Sequence, residues 1–307
     1  MNKLLYYLSH PRSLAGAVMV KTASFWNDVT YLRIMHLLNT GKRLNLKEPK
    51  TYSEKCQWMK LYYQRPELAT MVDKYEVKQY VAEHIGKEYV VECYGVWNHF
   101  DEIDFDALPD QFVLKCTHNS GTFLVCKDKS KIDKHSAKEM FEKALSSVYY
   151  LNGREWAYKN VKPRILAEKY IDSLGKPESV EYKITCMGGH VEFVTVCGGI
   201  AHAEYEQRSN DHFTRDWQRM PWYARYKPTG KEIKKTPEID KMIELSEALS
   251  KGIPQVRVDW YVHDGQIYFG EFTFYTWSGW PHFTPEEWDL KLGKNFILPE
   301  EKFIEHP

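Results

Sequence analysis

The stretch from Gln255 to Phe274 constrains the fold more than any other part of the chain. Val256, Val258 and Trp260 alternate with Arg257, Asp259 and Tyr261, the period of two that sends alternate side chains to opposite faces of a strand. His263-Asp264-Gly265-Gln266 carries an Asp-Gly turn signal, and an aromatic-rich second strand returns from Ile267. A three-residue loop, 264–266 with a glycine bulge, pairs His263 with Ile267 and sets Asp259 directly opposite Glu271, with Cβ atoms about 4.5–5.5 Å apart. A two-residue loop sends Glu271 to the other face instead. Like charges opposed on one face are destabilising unless a cation bridges them, so removing either carboxylate is expected to relieve repulsion. Facing carboxylate oxygens suit Mg²⁺, which also takes phosphate oxygens and water. The competing reading is two solvated carboxylates, and the flanking Trp, Tyr and Phe argue against it by predicting a largely buried hairpin.

Two further stretches suggest phosphate and nucleotide chemistry. In Phe112–Val125, Lys115 nears the end of an apolar strand, a small polar loop containing Ser120 and Gly121 follows, and a second strand returns. Such a loop can turn backbone N–H groups toward a phosphate while the lysine adds a mobile point charge, although a snorkelling lysine on an ordinary hairpin reads the same way. Ile165-Leu166-Ala167-Glu168-Lys169-Tyr170-Ile171 is an apolar strand whose end could face an adenine edge, or a plain edge strand.

Other classes are disfavoured. The chain has no G-x-x-x-x-G-K-[ST], G-x-G-x-x-G, H-E-x-x-H or G-x-S-x-G. Lysine plus arginine and aspartate plus glutamate both number 42, and this zero net charge argues against a nucleic-acid binder. Six scattered cysteines without a C-x-x-C pair indicate reduced thiols and a cytoplasmic setting. No apolar run reaches the roughly 18–20 residues of a membrane span. His10-Pro11-Arg12 interrupts the apolar N-terminus, so a helix packed on the protein is expected there, with a peripheral contact at the inner membrane face as the alternative.

Along the chain, residues 1–95 read as mainly helical. Thr51-Tyr52-Ser53-Glu54 is a capping box, and Asp73-Lys74 opens a helix that ends at Gly86. Strands are expected at Tyr89–Val91, Phe112–Cys116, Thr122–Cys126 and Ile165–Ile171, with a helix near Ser136–Tyr150. Val180–Met187 and His190–Val196 flank the hairpin glycines Gly188-Gly189. Residues 200–236 read as an irregular substrate loop, and Pro237 and Pro285 each mark the first turn of a helix. This mixture predicts an α+β fold with more than one lobe.

The ordered series resembles the ATP-grasp superfamily, and more closely the TupA-like ATP-grasp family associated with cell-surface polysaccharides. It comprises a lysine–glycine hairpin, Glu-x-Tyr-Ile, Val180-Glu181-Tyr182-Lys183, Arg257-x-Asp259 and Glu271-x-Thr273. Asp73-Lys74-Tyr75, Leu108–Lys115, Asn152-Gly153-Arg154-Glu155-Trp156, Lys162-Pro163-Arg164-Ile165 and Phe283–Glu287 carry the likeness over about residues 45–296. It implies an ATP-grasp fold of two α+β lobes around a nucleotide. Residues 1–45 would be a helical extension, 46–111 a preceding subdomain, 112–170 the lobe with the lid hairpin, and 171–307 the lobe with the metal hairpin. ATP would be held by Lys115, His118, Ser120, Gly121, Glu168, Lys169, Tyr170, Ile171 and Glu181. Asp259, Glu271 and Thr273 would ligate Mg²⁺, and Arg257 and Lys183 would act in catalysis. Thr273 departs from the asparagine that many of these enzymes carry.

The implied chemistry is ATP-dependent activation of a carboxylate to an acyl phosphate and attack by an amine. The substrates would be small molecules or glycans: a uronic acid, an amino sugar or an amino acid. The rivals are a sugar kinase on the same fold and a glycosyltransferase, the latter supported by Asp104-Phe105-Asp106, a D-x-D triplet in an acid-rich turn.

Overall fold

Two helices open the described part of the chain, α1 (Pro11–Lys21) and α2 (Asp28–Thr40). The Asn27 side chain caps α2 by accepting from the Thr30 N–H at 2.9 Å. Met19, Tyr31, Leu32 and Met35 bury against Leu61 and Trp280, so this pair packs on the body of the protein. The computed structural model describes residues 10–171, 180–199 and 207–304, and no helix among them is long and apolar enough to cross a membrane.

α3 (Tyr52–Tyr62) begins with the expected capping box, Thr51 accepting from Glu54 N–H and the Glu54 carboxylate from Thr51 N–H. α4 (Glu67–Val72) and α5 (Glu76–Ile85) follow. The first strand is not Tyr89–Val91. Tyr89 and Val90 pack instead against the larger core, and β1 starts at Cys93 (Cys93–Trp97).

A four-stranded antiparallel sheet then forms in the order β1-β4-β2-β3, from β2 (Phe112–Cys116), β3 (Phe123–Cys126) and β4 (Ile165–Lys169). Phe112, Leu114, Ile165 and Ala167 bury against α6 (Lys134–Leu145). The helix expected to reach Tyr150 stops early. The Ser146 and Ser147 hydroxyls donate to the Lys143 and Ala144 carbonyls, competing with the next turn, and α7 (Tyr150–Gly153) is a separate short piece.

The second sheet runs β10-β9-β5-β6-β7 and carries the main core. β5 (Val180–Met187) and β6 (His190–Gly198) meet at Gly188-Gly189, both at positive φ. β7 (Ser209–Phe213) and the short β8 (Tyr223–Ala224) lie within the stretch that reads as irregular. All five β7 residues are buried although four are polar. Asp211, for example, accepts from Thr229 N–H and Oγ1 at 3.0 and 2.9 Å. A polar buried strand has no hydrophobic alternation to betray it. α8 (Pro237–Leu249) covers this sheet, β9 (Gln255–His263) and β10 (Gln266–Thr273) complete it, and β11 (Phe283–Thr284) pairs with β8 before α9 (Glu287–Asn295).

Candidate active site

The β9–β10 hairpin reaches the expected face by an unexpected route. Its loop has two residues, Asp264 and Gly265 at φ 50° and 75°, so His263 pairs with Gln266 rather than Ile267. That register alone would turn Glu271 to the opposite face. A β-bulge between Phe269 and Phe272 adds one residue and restores it, so that Phe272 pairs with Val258 and Thr273 with Arg257. Gly270 sits in the bulge, where an added Cβ would meet the Asp259 carbonyl oxygen at 3.0 Å. Arg257, Asp259, Glu271 and Thr273 therefore share one face.

On that face the charges are already engaged. Arg257 grips Asp259 with two bonds, Nε to Oδ1 at 2.6 Å and NH2 to Oδ2 at 2.7 Å. Lys183, directly across from Asp259 in the β5–β9 register, donates to Oδ2 at 2.7 Å and lies 2.9 Å from Glu181. Glu271 stands apart, 3.7 Å from Arg257 and 39% exposed at its side chain. Burial opposes ionisation of Asp259, but Arg257 and Lys183 outweigh it and hold the carboxyl below its ordinary range. Burial pushes the nearby Cys197 thiol up to about 12, which removes it as a nucleophile.

A second charged group sits on the four-stranded sheet. Glu168 is buried, bonded by Lys115 and 3.0 Å from Lys78. Burial would raise its pKa, yet the two lysines bring it down to about 2. Lys74 is the third lysine. Burial lowers its pKa, while its charge interacts with Glu271, Lys115 and Glu168. Its Nζ donates to the Asn119 carbonyl at 2.6 Å and its N–H to Thr117 at 3.2 Å, which pins the loop between β2 and β3. The two charged groups are neighbours: half-buried Tyr261 has its pKa raised by desolvation first and then by Glu168, Glu181 and Glu271.

A cavity of about 1170 Å³ opens beside the hairpin. Ser120, Gly121, Lys183, Arg257, Glu271 and Thr273 line it, whereas Asp259 lies beneath Arg257 and Lys183. His118 turns away from this site, with Nε2 3.1 Å from the Ala144 carbonyl and burial lowering its pKa. Ile171 is buried, Tyr170 lies under the Lys127 ammonium at 5.7 Å, and Lys169 is exposed. The Asp104-Phe105-Asp106 triplet forms a turn, Asp104 Oδ1 accepting from Asp106 and Ala107 N–H at 3.0 and 3.3 Å.

The donor chemistry fits the groups that the sequence implies. Three lysines against one glutamate leave positive charge for a polyphosphate. The carboxylates and hydroxyl of Asp259, Glu271 and Thr273 are all-oxygen donors of the kind Mg²⁺ takes. Glu271 offers its oxygens directly, and Asp259 must first exchange a lysine or arginine bond. Lys74 and Lys78 are the residues that sequence reasoning missed. Asp73-Lys74-Tyr75 was legible as a helix start, but nothing local tied either lysine to Glu168.

No curated protein sequence matches the chain. Among solved structures, the D-alanine–D-alanine ligase of Bacillus anthracis is 16% identical at a TM-score of 0.37, with 72% of this chain and 58% of that one covered. The L-amino acid ligase of Bacillus licheniformis is 13% identical at 0.46, covering 76% and 53%. An ADP complex of N5-carboxyaminoimidazole ribonucleotide synthetase is 15% identical at 0.43, covering 79% and 56%. The chain thus spans a little over half the length of these three structures. The profile described as TupA-like ATPgrasp matches residues 54–297, from the start of α3 to just beyond α9 and through both charged groups, and the chain belongs to that family.

Proposed function

We propose that the protein is an ATP- and Mg²⁺-dependent carboxylate–amine ligase that forms an amide through an acyl phosphate, acting in cell-surface polysaccharide biosynthesis. The observation that carries this reading is the lysine-rich group around Glu168 near the carboxylate hairpin, with the Lys74 charge acting on both Glu168 and Glu271. Lys74, Lys78 and Lys115 bind phosphate oxygens, and the pinned 117–122 loop covers them. Asp259, Glu271 and Thr273 hold Mg²⁺, which supplies charge neutralisation at the phosphates. Lys183 and Arg257 neutralise charge on the transferring phosphoryl group. Family membership supports ATP chemistry, and the ordinary turn-capping role of Asp104 gives the glycosyltransferase alternative no support.

A thermal-shift scan with Mg²⁺ tests the nucleotide: ATP or ADP should stabilise the protein, and stabilisation by UDP-glucose alone would refute the reading. Hydroxylamine trapping during ADP release separates ligase from kinase, since an acyl phosphate yields a hydroxamate and a sugar phosphate does not. The same reading places the enzyme in the cytoplasm with a peripheral contact at the inner membrane face. Exposed Leu14, Val18 and Phe25, together with a sequence free of acids before Asp28, support that contact. Failure to sediment with phosphatidylglycerol vesicles at low salt would refute it.

A further inference from the structure

The segment Asn152-Gly153-Arg154-Glu155-Trp156 has no task in the scheme above, yet it is built with unusual rigidity. Arg154 is buried at a left-handed φ of 54°. Its guanidinium bonds the Ala23 and Trp26 carbonyls, lies 3.0 Å from Asp28 and stacks 4.4 Å over the Tyr31 ring. Trp156 is buried in the main core. Held between these anchors, Glu155 lines the large cavity.

The surroundings of Glu155 are fixed as well. Trp277 and Ser278 both adopt left-handed φ values, 55° and 53°, a strained arrangement for residues with side chains. Lys60 and Gln57 hold that turn: Lys60 donates to the Ser278 carbonyl at 2.8 Å, to its hydroxyl at 3.0 Å and to the Gly153 carbonyl at 2.8 Å, and Gln57 donates to Ser278 and Gly279. The three Lys60 donors are thus spent on other acceptors. Lys60 offsets the Glu155 charge through space, and the Ser278 hydroxyl supplies the hydrogen bond.

Among the cavity-lining residues, Glu155 and Glu271 are the acidic pair, against Lys183, Arg208, Arg225 and Arg257. Tyr149 and Tyr158 connect the two acids. Their rings meet edge to face at 4.9 Å, and after burial both carboxylates raise the pKa of each phenol. Tyr149 also bonds Ser120 in the β2–β3 loop. Glu155, the two aromatic rings and Ser120 and Gly121 of the pinned loop thus line the same cavity, and a carboxylate with ring faces is chemistry suited to a cation.

We propose that Glu155, with the rings of Tyr149 and Tyr158, binds a primary ammonium group, that of the amine acceptor. The word acceptor rests on the ligase reading, whereas the site needs only the ammonium. Burial raises the pKa of Glu155, a cost that an arriving cation offsets and a neutral hydroxyl does not.

The probe is ¹³C-methylammonium chloride, its binding to the full chain followed by NMR line broadening, with ¹³C-methanol as the neutral control. Wild type should bind methylammonium and not methanol. Glu155→Gln should weaken methylammonium about tenfold or more while leaving Mg²⁺–ATP affinity within about twofold. No binding by wild type, or equal binding by wild type and Glu155→Gln, overturns the proposal. Should Glu155→Gln fail to fold by circular dichroism, Glu155→Asp carries the same test. That variant is expected to weaken binding by about threefold or more, and an unchanged affinity overturns the proposal. Glu155-dependent methylammonium binding in a protein that does not bind ATP would refute the ligase reading and leave the ammonium site standing.

Discussion

Replacing Glu168 with glutamine should cost stability by an amount that depends on pH in a defined window. The carboxyl is held at about 2 against an ordinary 4.5. At 1.36 kcal/mol per pKa unit, its ionised form is favoured by about 3 kcal/mol in the folded protein. A depressed folded pKa gives stability that is fully present above 4.5 and lost as pH falls toward 2. Wild type should therefore lose about 3 kcal/mol from this group on acidification through that window, whereas Glu168→Gln lacks that component at every pH. At pH 7 the variant also leaves Lys78 and Lys115 without their shared carboxylate, so the difference should be about 3 kcal/mol or slightly more. Urea unfolding followed by tryptophan fluorescence, at pH 7.0, 5.5, 4.5 and 3.5, compares the two proteins in the transition that melts the four-stranded sheet. A constant difference across these values would refute the argument, because it would show that the ion pairs contribute nothing and that only packing was lost.

Glu271→Gln should abolish Mg²⁺-dependent ATP turnover with little change in stability, because Glu271 is partly exposed and 3.7 Å from its nearest cation. Asp259→Asn should abolish turnover and also cost about 3–5 kcal/mol, since it strips Arg257 and Lys183 of their buried partner. The expectation of relieved repulsion is thereby reversed for this residue, and unchanged denaturation midpoints in both variants would contradict the pairing. Lys115→Ala should weaken ATP more than AMP in calorimetry, and equal weakening would remove Lys115 from the outer phosphates. Thr273→Asn should shift the rise of initial rate to lower free Mg²⁺, and an unmoved midpoint would leave Thr273 a packing residue.

The common face of Arg257, Asp259 and Glu271 could be anticipated from alternation, but its register could not. Phe269-Gly270-Glu271-Phe272 scans as unbroken strand, and the only local sign of the bulge is the glycine, a residue that strands otherwise disfavour. The capping box at Thr51 and the hairpin at Gly188-Gly189 were legible because both are local in sequence. β7 was not, since Ser209-Asn210-Asp211-His212 is buried through hydrogen bonds that only tertiary structure provides. Lys78 was hidden for a related reason. On α5 it reads as a solvated lysine, and it becomes part of the site only when β4 brings Glu168 from 90 residues further along the chain.

The two charged groups carry surpluses of opposite sign, and this bears on how a ligand would enter. Around Glu168, Lys74, Lys78 and Lys115 leave an excess of two positive charges. On the hairpin face, Glu181, Asp259 and Glu271 exceed Lys183 and Arg257 by one negative charge. Without a ligand these surpluses attract each other across Tyr261, in surroundings where the interaction is stronger than in water. A polyphosphate alone would satisfy the lysines and repel Glu271. A divalent cation alone would satisfy Glu271 and repel the lysines. Only the two together neutralise both sides, so in the proposed reaction ATP and Mg²⁺ should bind as one unit and each should bind weakly alone. Independent binding of the two in calorimetry, with no mutual enhancement, would show that the surpluses are screened by solvent and do not set the order of assembly.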